Sequence, residues 1–135
     1  MKRREAREQA FILIFERSIN HDTVDEIIDT AEMSSEIRID AFTEKLARGA
    51  EQKEALLDGY IEKNIRGWKM SRLSKVSLAL LRMAIYEILF ESDIPVSVSI
   101  NEAVDLAKKY GGGDDAPFIN GVLGSVAKAV EETHE

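Results

Sequence analysis

The sequence has no cysteine, which excludes disulfide frameworks, zinc–thiolate sites and cysteine nucleophiles. It has only two histidines, His21 and His134, which makes most histidine-based metal sites unlikely. Only two prolines and eight glycines occur among 135 residues, which argues against collagen, low-complexity disorder and a loop-rich sandwich. We therefore expect an ordered globular protein with no metal and no cofactor.

Long apolar runs are also missing. The longest, residues 76–90, is too short to span a bilayer and contains Arg82 and Glu87. The basic amino terminus leads into a helical pattern with no small-residue cleavage site, so we predict no signal peptide and a cytoplasmic location. The length of 135 residues and the 44% of hydrophobic residues suit one domain over residues 1–135. On folding, a chain of this length buries roughly two-thirds of the surface that it exposes when unfolded.

Positive charge is concentrated in two segments of an otherwise acidic chain. Residues 1–7 carry four basic side chains against one acid, and residues 63–82 carry six with no acid. Together they hold ten of the 18 basic residues, although the net charge is −7. That net charge argues against indiscriminate coating of nucleic acid. The two clusters indicate an anionic partner or, alternatively, solvated helix ends.

Apolar residues recur at helical spacing throughout, and no segment alternates over strand length between turn signals. The predicted fold class is all-α, a single compact bundle of six to seven helices. Helices are expected over about residues 3–19, 35–65, 72–91 and 101–110, and from 115 onward. A further short helix is expected to begin at a capping box formed by Thr23 and Glu26. The fourth helix is apolar on nearly every side, which predicts a central position.

Two parts of this pattern need further interpretation. The long third helix is expected to bend near Gly49 or Gly59. Residues 96–100 alternate between apolar and polar, and we interpret them as an extended connector after a proline-terminated helix. A second capping box, Ser99 with Glu102, would then open the next helix.

No pattern favours catalysis. Gly111–Gly113 lacks the Gly-Lys-Ser/Thr of a phosphate loop and is interpreted as a helix stop. There is no nucleophile elbow, and the many carboxylates fall mostly on polar helix faces. The sequence therefore favours a binding protein over an enzyme.

Nucleic-acid binding has more support. Arg3, Arg4 and Arg7 are spaced three and four residues apart, so they share one side of the first two helical turns. Guanidinium groups there could hold phosphates, and an exposed aromatic could stack on a base. Phe11 and Phe15 continue along a neighbouring line. Core packing is the alternative for both rings, and we favour it for Phe11.

Two aromatic residues elsewhere allow the same two interpretations. Phe118 opens the last helix beside Asn120, and an exposed ring next to an amide could read an unpaired base. A buried ring, with the amide capping the preceding loop, is equally compatible. Trp68 lies in a basic loop over residues 66–71, where we favour a role in anchoring the loop to the core.

Several longer motifs occur in order over essentially the whole chain. They are the basic start with Ala6-Arg7-Glu8, Trp68 with Arg72-Leu73, the block Leu81-Arg82-Met83-Ala84-Ile85-Tyr86-Glu87, the run Ile94-Pro95 with Ile100-Asn101-Glu102-Ala103-Val104, and Phe118-Ile119-Asn120-Gly121-Val122-Leu123. In this combination the sequence resembles the NusB family of bacterial transcription antitermination factors.

The resemblance implies a non-catalytic helical bundle of two small subdomains. It implies binding to the boxA element of ribosomal RNA leader transcripts together with NusE, a small-subunit ribosomal protein, in a complex that helps RNA polymerase read through terminators. By motif match, the RNA-binding residues would be Lys2, Arg3, Arg4, Arg7, Phe15, Asp114, Phe118 and Asn120.

One departure from the family pattern is Pro117, which stands where a basic residue usually precedes the phenylalanine. One phosphate contact would therefore be missing. We expect the basic residues Lys69, Arg72 and Lys75 to compensate, on the basis of charge alone.

Two other classes stay open. The same helical module occurs in RNA-cytosine methyltransferases, but no cofactor-binding strand–glycine–helix unit follows it here. A helical protein–protein adaptor without specific RNA binding also fits the sequence. A homodimer is a further expectation, because residues 10–15 of the first helix are apolar nearly all round and exposed apolar surface favours self-association.

Overall fold

A computed structural model describes residues 1–34 and 38–133. Within these ranges the chain forms seven α-helices and no β-strand, which confirms the predicted all-α class. The helices are α1 (Arg3–Asn20), α2 (Val24–Ser34), α3 (Ala41–Gln52), α4 (Glu54–Asn64), α5 (Lys75–Phe90), α6 (Val96–Tyr110) and α7 (Asp115–Thr133). A single 3-10 turn, Met70–Arg72, precedes α5.

Side-chain caps fix where several helices begin. The capping box predicted before α2 is confirmed: the Thr23 hydroxyl accepts a hydrogen bond from the Glu26 N–H at 3.1 Å, and the Glu26 carboxylate accepts one from the Thr23 N–H at 3.4 Å. α5 begins at Lys75, slightly later than predicted, because the Ser74 hydroxyl caps it by accepting from the Ser77 N–H at 3.0 Å.

The long third helix of the prediction is in fact two helices. α3 begins at Ala41, where the carboxylate of Asp40 accepts a hydrogen bond from the Phe42 N–H at 2.8 Å; the predicted start near residue 35 lies outside the described residues. The break falls at Lys53, not at either glycine. Gly49 instead allows close packing, since a Cβ there would lie 2.2 Å from the Tyr86 ring of α5.

The extended connector predicted for residues 96–100 is wrong, because these residues form the first turns of α6. The carbonyl of Pro95 accepts hydrogen bonds from the N–H groups of Val98 at 2.9 Å and Ser99 at 3.3 Å. Ser99 is therefore not a helix cap. It is buried, and its hydroxyl donates to the Glu87 carboxylate at 3.2 Å, whereas Ser97, the other polar residue of the alternation, is exposed.

α5 occupies the centre of the bundle, as its apolar circumference predicted. It packs against α1, α3, α4, α6 and α7. Its fully buried residues join those of the surrounding helices in one continuous core. Phe11 of α1 belongs to this core, as favoured from the sequence. Among the described residues no helix is both long and apolar enough to cross a membrane.

α1 and α6 run in the same direction and are joined by long side chains. Arg4 pairs with Asp105, and one turn further along Glu8 pairs with Lys109, so the two helices advance together. The carboxyl-terminal half of α1 therefore points toward the glycine segment that follows α6 and toward the start of α7. This arrangement places the candidate site residues in two regions at opposite ends of α1.

Candidate nucleic-acid interface

The first region is the exposed start of α1. Lys2, Arg3 and Arg4 are all exposed. The Arg3 guanidinium lies 4.0 Å from the centre of the Phe42 ring, which holds it by a cation–π contact while leaving its N–H groups available to an anion. We name Lys2, Arg3 and Arg4 the amino-terminal cluster.

Arg7 does not join this exposed cluster. Its side chain is 2% exposed, and its guanidinium donates two hydrogen bonds of 2.8 Å to the carboxylate of Glu87, which is fully buried. Ser99 donates a further bond to that carboxylate. This buried bidentate pair joins α1 to α5. Because Glu87 already binds the guanidinium that was expected to contact phosphate, Arg7 is not part of the proposed interface.

Acidic side chains lie close to the amino-terminal cluster. Glu8 accepts hydrogen bonds of 2.6 Å from the Lys109 ammonium and from the Tyr110 hydroxyl. These bonds hold the pKa of the Glu8 carboxyl below its usual value and raise the pKa of the Lys109 ammonium. Glu8 therefore stays negatively charged at neutral pH, and the positive potential of this region is local.

The second region contains the two aromatic residues whose role was open. The rings of Trp68 and Phe118 lie 5.6 Å apart between centres, tilted by 60°. Trp68 is 58% exposed, so the expectation that it anchors the loop in the core is wrong. Phe118 is half-buried and packs against the core edge, which leaves it partly available. We name Trp68 and Phe118 the aromatic pair.

A cleft of about 270 Å³ opens beside the aromatic pair. Its other lining residues are Arg72, Leu73, Ser74, Ser77, Asp114 and Asp115. A cleft with aromatic walls, a guanidinium and exposed carboxylate oxygens offers stacking surface, a phosphate partner and hydrogen-bond acceptors for the amino groups of a base.

Asp115, which the sequence indicated only as a possible cap of the last helix and not as a site residue, assembles this cleft. Its carboxylate accepts hydrogen bonds from the Ser77 hydroxyl at 3.1 Å, the Ser74 hydroxyl at 3.5 Å and the Gly112 N–H at 2.9 Å. These bonds bring the first turns of α5 and α7 together, so the positive ends of two helix dipoles meet there. In the sequence, the only local signal for the contact of Asp115 with α5 was the pair of serines at the start of that helix, Ser74 and Ser77.

The remaining candidates surround the cleft or lie nearby. Lys69, Arg72, Asp114 and Asn120 are exposed. Lys75 is also exposed, and it lines a neighbouring groove of about 250 Å³ with Arg17 and His21 at the end of α1. Phe15 is half-buried, with its ring 5.9 Å from that of Phe11.

The structure therefore does not bring all the candidates into one patch. The amino-terminal cluster lies at the first turn of α1, whereas Lys75 lies beside its last turn, about 27 Å away for an 18-residue helix. Phe15 lies between them along α1. A ligand that contacts both regions must be extended, as a single strand of several nucleotides is.

Comparisons with known proteins agree with this architecture. The NusB family matches residues 4–128. The chain is 41% identical over 133 residues to the transcription antitermination protein NusB of Clostridium novyi, covering 96% of this chain and all of that protein.

Solved structures are similar over nearly the whole chain. A structure of T. maritima NusB superposes with a TM-score of 0.82 at 33% identity, covering 95% of this chain and 92% of that one. A crystal structure of the antitermination factors NusB and NusE in complex with dsRNA superposes equally well, with a TM-score of 0.82 at 27% identity over 96% of this chain and 99% of that one. Sequence, fold and length thus agree, and the chain belongs to the NusB family.

Proposed function

We propose that this chain is a transcription antitermination factor that binds the boxA element of ribosomal RNA leader transcripts together with NusE, as part of an RNA polymerase antitermination complex in the cytoplasm. The observation that carries the RNA-binding role is the aromatic pair, of which Trp68 is exposed and Phe118 half-buried, flanked by the basic residues Lys69 and Arg72. An exposed tryptophan beside cations in an acidic protein suits stacking on bases and neutralising phosphates. No catalytic step is involved.

Membership of the NusB family and the likeness to a complex containing NusB, NusE and RNA support this proposal. The basic and the aromatic residues have different roles in RNA binding. The amino-terminal cluster and Lys69, Arg72 and Lys75 neutralise phosphates, which sets affinity. The aromatic pair stacks unpaired bases, and Asp114 and Asn120 contact base edges, which sets sequence preference.

The direct test is filter binding of the purified chain to a boxA-containing RNA and to a scrambled RNA of the same length, each with and without NusE. We expect preference for boxA and tighter binding when NusE is present. A chain that binds NusE but shows no affinity for either RNA would instead be a protein–protein adaptor, the alternative that the sequence left open.

Removing the charge of the amino-terminal cluster is expected to reduce the salt dependence of RNA binding. If Arg3 neutralises one phosphate and Arg4, which is already paired with Glu102 and Asp105, contributes up to one more, the double variant Arg3→Ala/Arg4→Ala lowers the slope of log affinity against log salt for single-stranded RNA by about 0.7 to 1.4. Both side chains are exposed, so helical content should not change. RNA titrations over a series of KCl concentrations measure the slope.

The matched control for this variant is Lys53→Ala/Lys128→Ala, which removes the same charge from exposed positions elsewhere. Lys53 lies beside Phe90, at the opposite end of α5 from Lys75. The control should lower the slope much less. Equal slopes for the parent and the Arg3/Arg4 variant would remove these arginines from the interface.

We also propose that the chain pairs with a second copy through α1. Ile12 and Ile19 are 37% and 51% exposed on this helix, and such apolar surface favours association. Pairing on this face of α1 would approach Lys2 and Arg4 at the side, whereas Arg3 lies on the opposite side of the helix, so RNA and the second copy would compete for Lys2 and Arg4. Light scattering at rising protein concentration should show a dimer that RNA dissociates. A monomer at every concentration would contradict this proposal.

A further inference from the structure

The guanidinium of Arg4 is held by two carboxylates of α6. Its Nε lies 3.1 Å from Glu102, and one terminal nitrogen lies 2.6 Å from Asp105. The Arg4 side chain is nevertheless 66% exposed. Because this guanidinium is already paired, an RNA phosphate that binds it must displace one of the two carboxylates of the protein.

The two carboxylates differ in how easily they can be displaced. Glu102 is 21% exposed and also lies 3.7 Å from Arg7, so it belongs to the edge of the buried network around Glu87. Asp105 is 48% exposed and pairs with Arg4 at the surface. Exposed pairs of this kind are weak and solvent-screened, so Asp105 is the partner that can yield.

The space around this pair is large enough for a phosphate. A groove of about 410 Å³ lies between α1 and α6, and Arg4, Glu102 and Asp105 line it together with Lys2, Glu5, Glu8, Leu106 and Lys109. Four carboxylates share this groove with three cations. A phosphate placed here therefore gains attraction from Arg4 and Lys2 but is repelled by the acid that it displaces.

We propose that Asp105 is an intramolecular competitor of RNA phosphate for Arg4, and that this competition sets the affinity that an RNA must exceed to remain bound. This inference rests on the proposed RNA-binding function. The competitor weakens every phosphate contact at Arg4 by the same amount, whatever the RNA sequence. RNA that also stacks on the aromatic pair keeps enough affinity to remain bound, whereas RNA held by phosphates alone is released.

The test is the variant Asp105→Asn, which keeps the shape of the side chain and removes its charge. RNA affinity should rise about 1.4- to fivefold, the range that breaking one exposed ion pair allows. The dependence on salt should become steeper by up to about one phosphate contact, because Arg4 then engages RNA without an exchange of partners. Fluorescence anisotropy with labelled boxA RNA and a scrambled RNA, at several KCl concentrations, measures both quantities.

Two controls isolate the local effect. Asp29→Asn changes the net charge equally at an exposed position on α2, and it should raise affinity less than Asp105→Asn does. In the background of Arg4→Ala, the Asp105→Asn substitution should give no gain beyond that of Asp29→Asn. Circular dichroism establishes that each variant keeps the helical content of the parent.

The outcomes separate this inference from the proposed function. If the parent binds boxA RNA and Asp105→Asn behaves as Asp29→Asn does, the competitor role is wrong while the proposed function stands. If Asp105→Asn gains affinity equally with and without Arg4, the effect is long-range and the inference is also overturned. Absence of RNA binding in every variant would overturn both proposals.

Discussion

Replacing Glu87 with glutamine is expected to lower the free energy of unfolding by about 3–5 kcal/mol, the cost of leaving one partner of a buried ion pair unpaired. The substitution keeps the size of the side chain but leaves the Arg7 guanidinium charged and without its bidentate carboxylate. Ser99, which donates to the same carboxylate, also loses its charged acceptor. Urea denaturation followed by circular dichroism measures the change.

An exposed pair provides the control. Glu44 pairs with Arg48 one turn away on α3, and both side chains are 41% exposed. Glu44→Gln should therefore cost only about 0.3–0.5 kcal/mol, as exposed helix pairs do. A loss below about 1 kcal/mol for Glu87→Gln would mean that Arg7 finds another partner or water, and Arg7 would again be a candidate for phosphate binding.

Replacing Trp68 with alanine is expected to weaken RNA binding by about 1–3 kcal/mol, the contribution of one stacked base. Because the side chain is more than half exposed, the free energy of unfolding should change little. The salt slope should stay that of the parent, since no phosphate contact is removed. Phe118→Ala should lose RNA affinity as well, with a larger cost in stability, because that ring is half-buried.

Phe90→Ala is the matched control for Trp68→Ala. Phe90 is 41% exposed and contacts Tyr86 at 5.0 Å between ring centres, so it is another surface aromatic in a ring pair. Phe90 lies at the opposite end of α5 from the cleft, so the Phe90→Ala variant should bind RNA with the affinity of the parent. Equal RNA affinity of the parent and Trp68→Ala would rule out the aromatic pair as a stacking surface.

Local signals in the sequence predicted most of the helices. The Thr23–Glu26 capping box and the apolar circumference of α5 are properties of neighbouring residues, and both were confirmed. The prediction for residues 96–100 was wrong because it also rested on a local pattern, the alternation of valine and serine, which is typical of an extended strand. The partner that makes Ser99 a buried donor is Glu87, on another helix.

The candidate site was predicted less completely, because charge alone does not reveal exposure. Arg3, Arg4 and Arg7 share one side of α1, but only the fold decides that Arg7 faces a buried carboxylate while Arg4 faces surface acids. Trp68 had no local feature that separated core from surface. The ring that it contacts belongs to Phe118, which lies 50 residues further along the chain.

The Arg7–Glu87 pair also sets a condition on synthesis of the chain. Its two partners are 80 positions apart, so at about 5–20 residues per second the ribosome adds Glu87 about 4–16 seconds after Arg7. Until then, Arg7 and the apolar segment at residues 10–15 have no α5 to cover them. Because burial of an unpaired charge is costly, Arg7 stays in water during that interval, and docking of α5 both pairs this charge and completes the core.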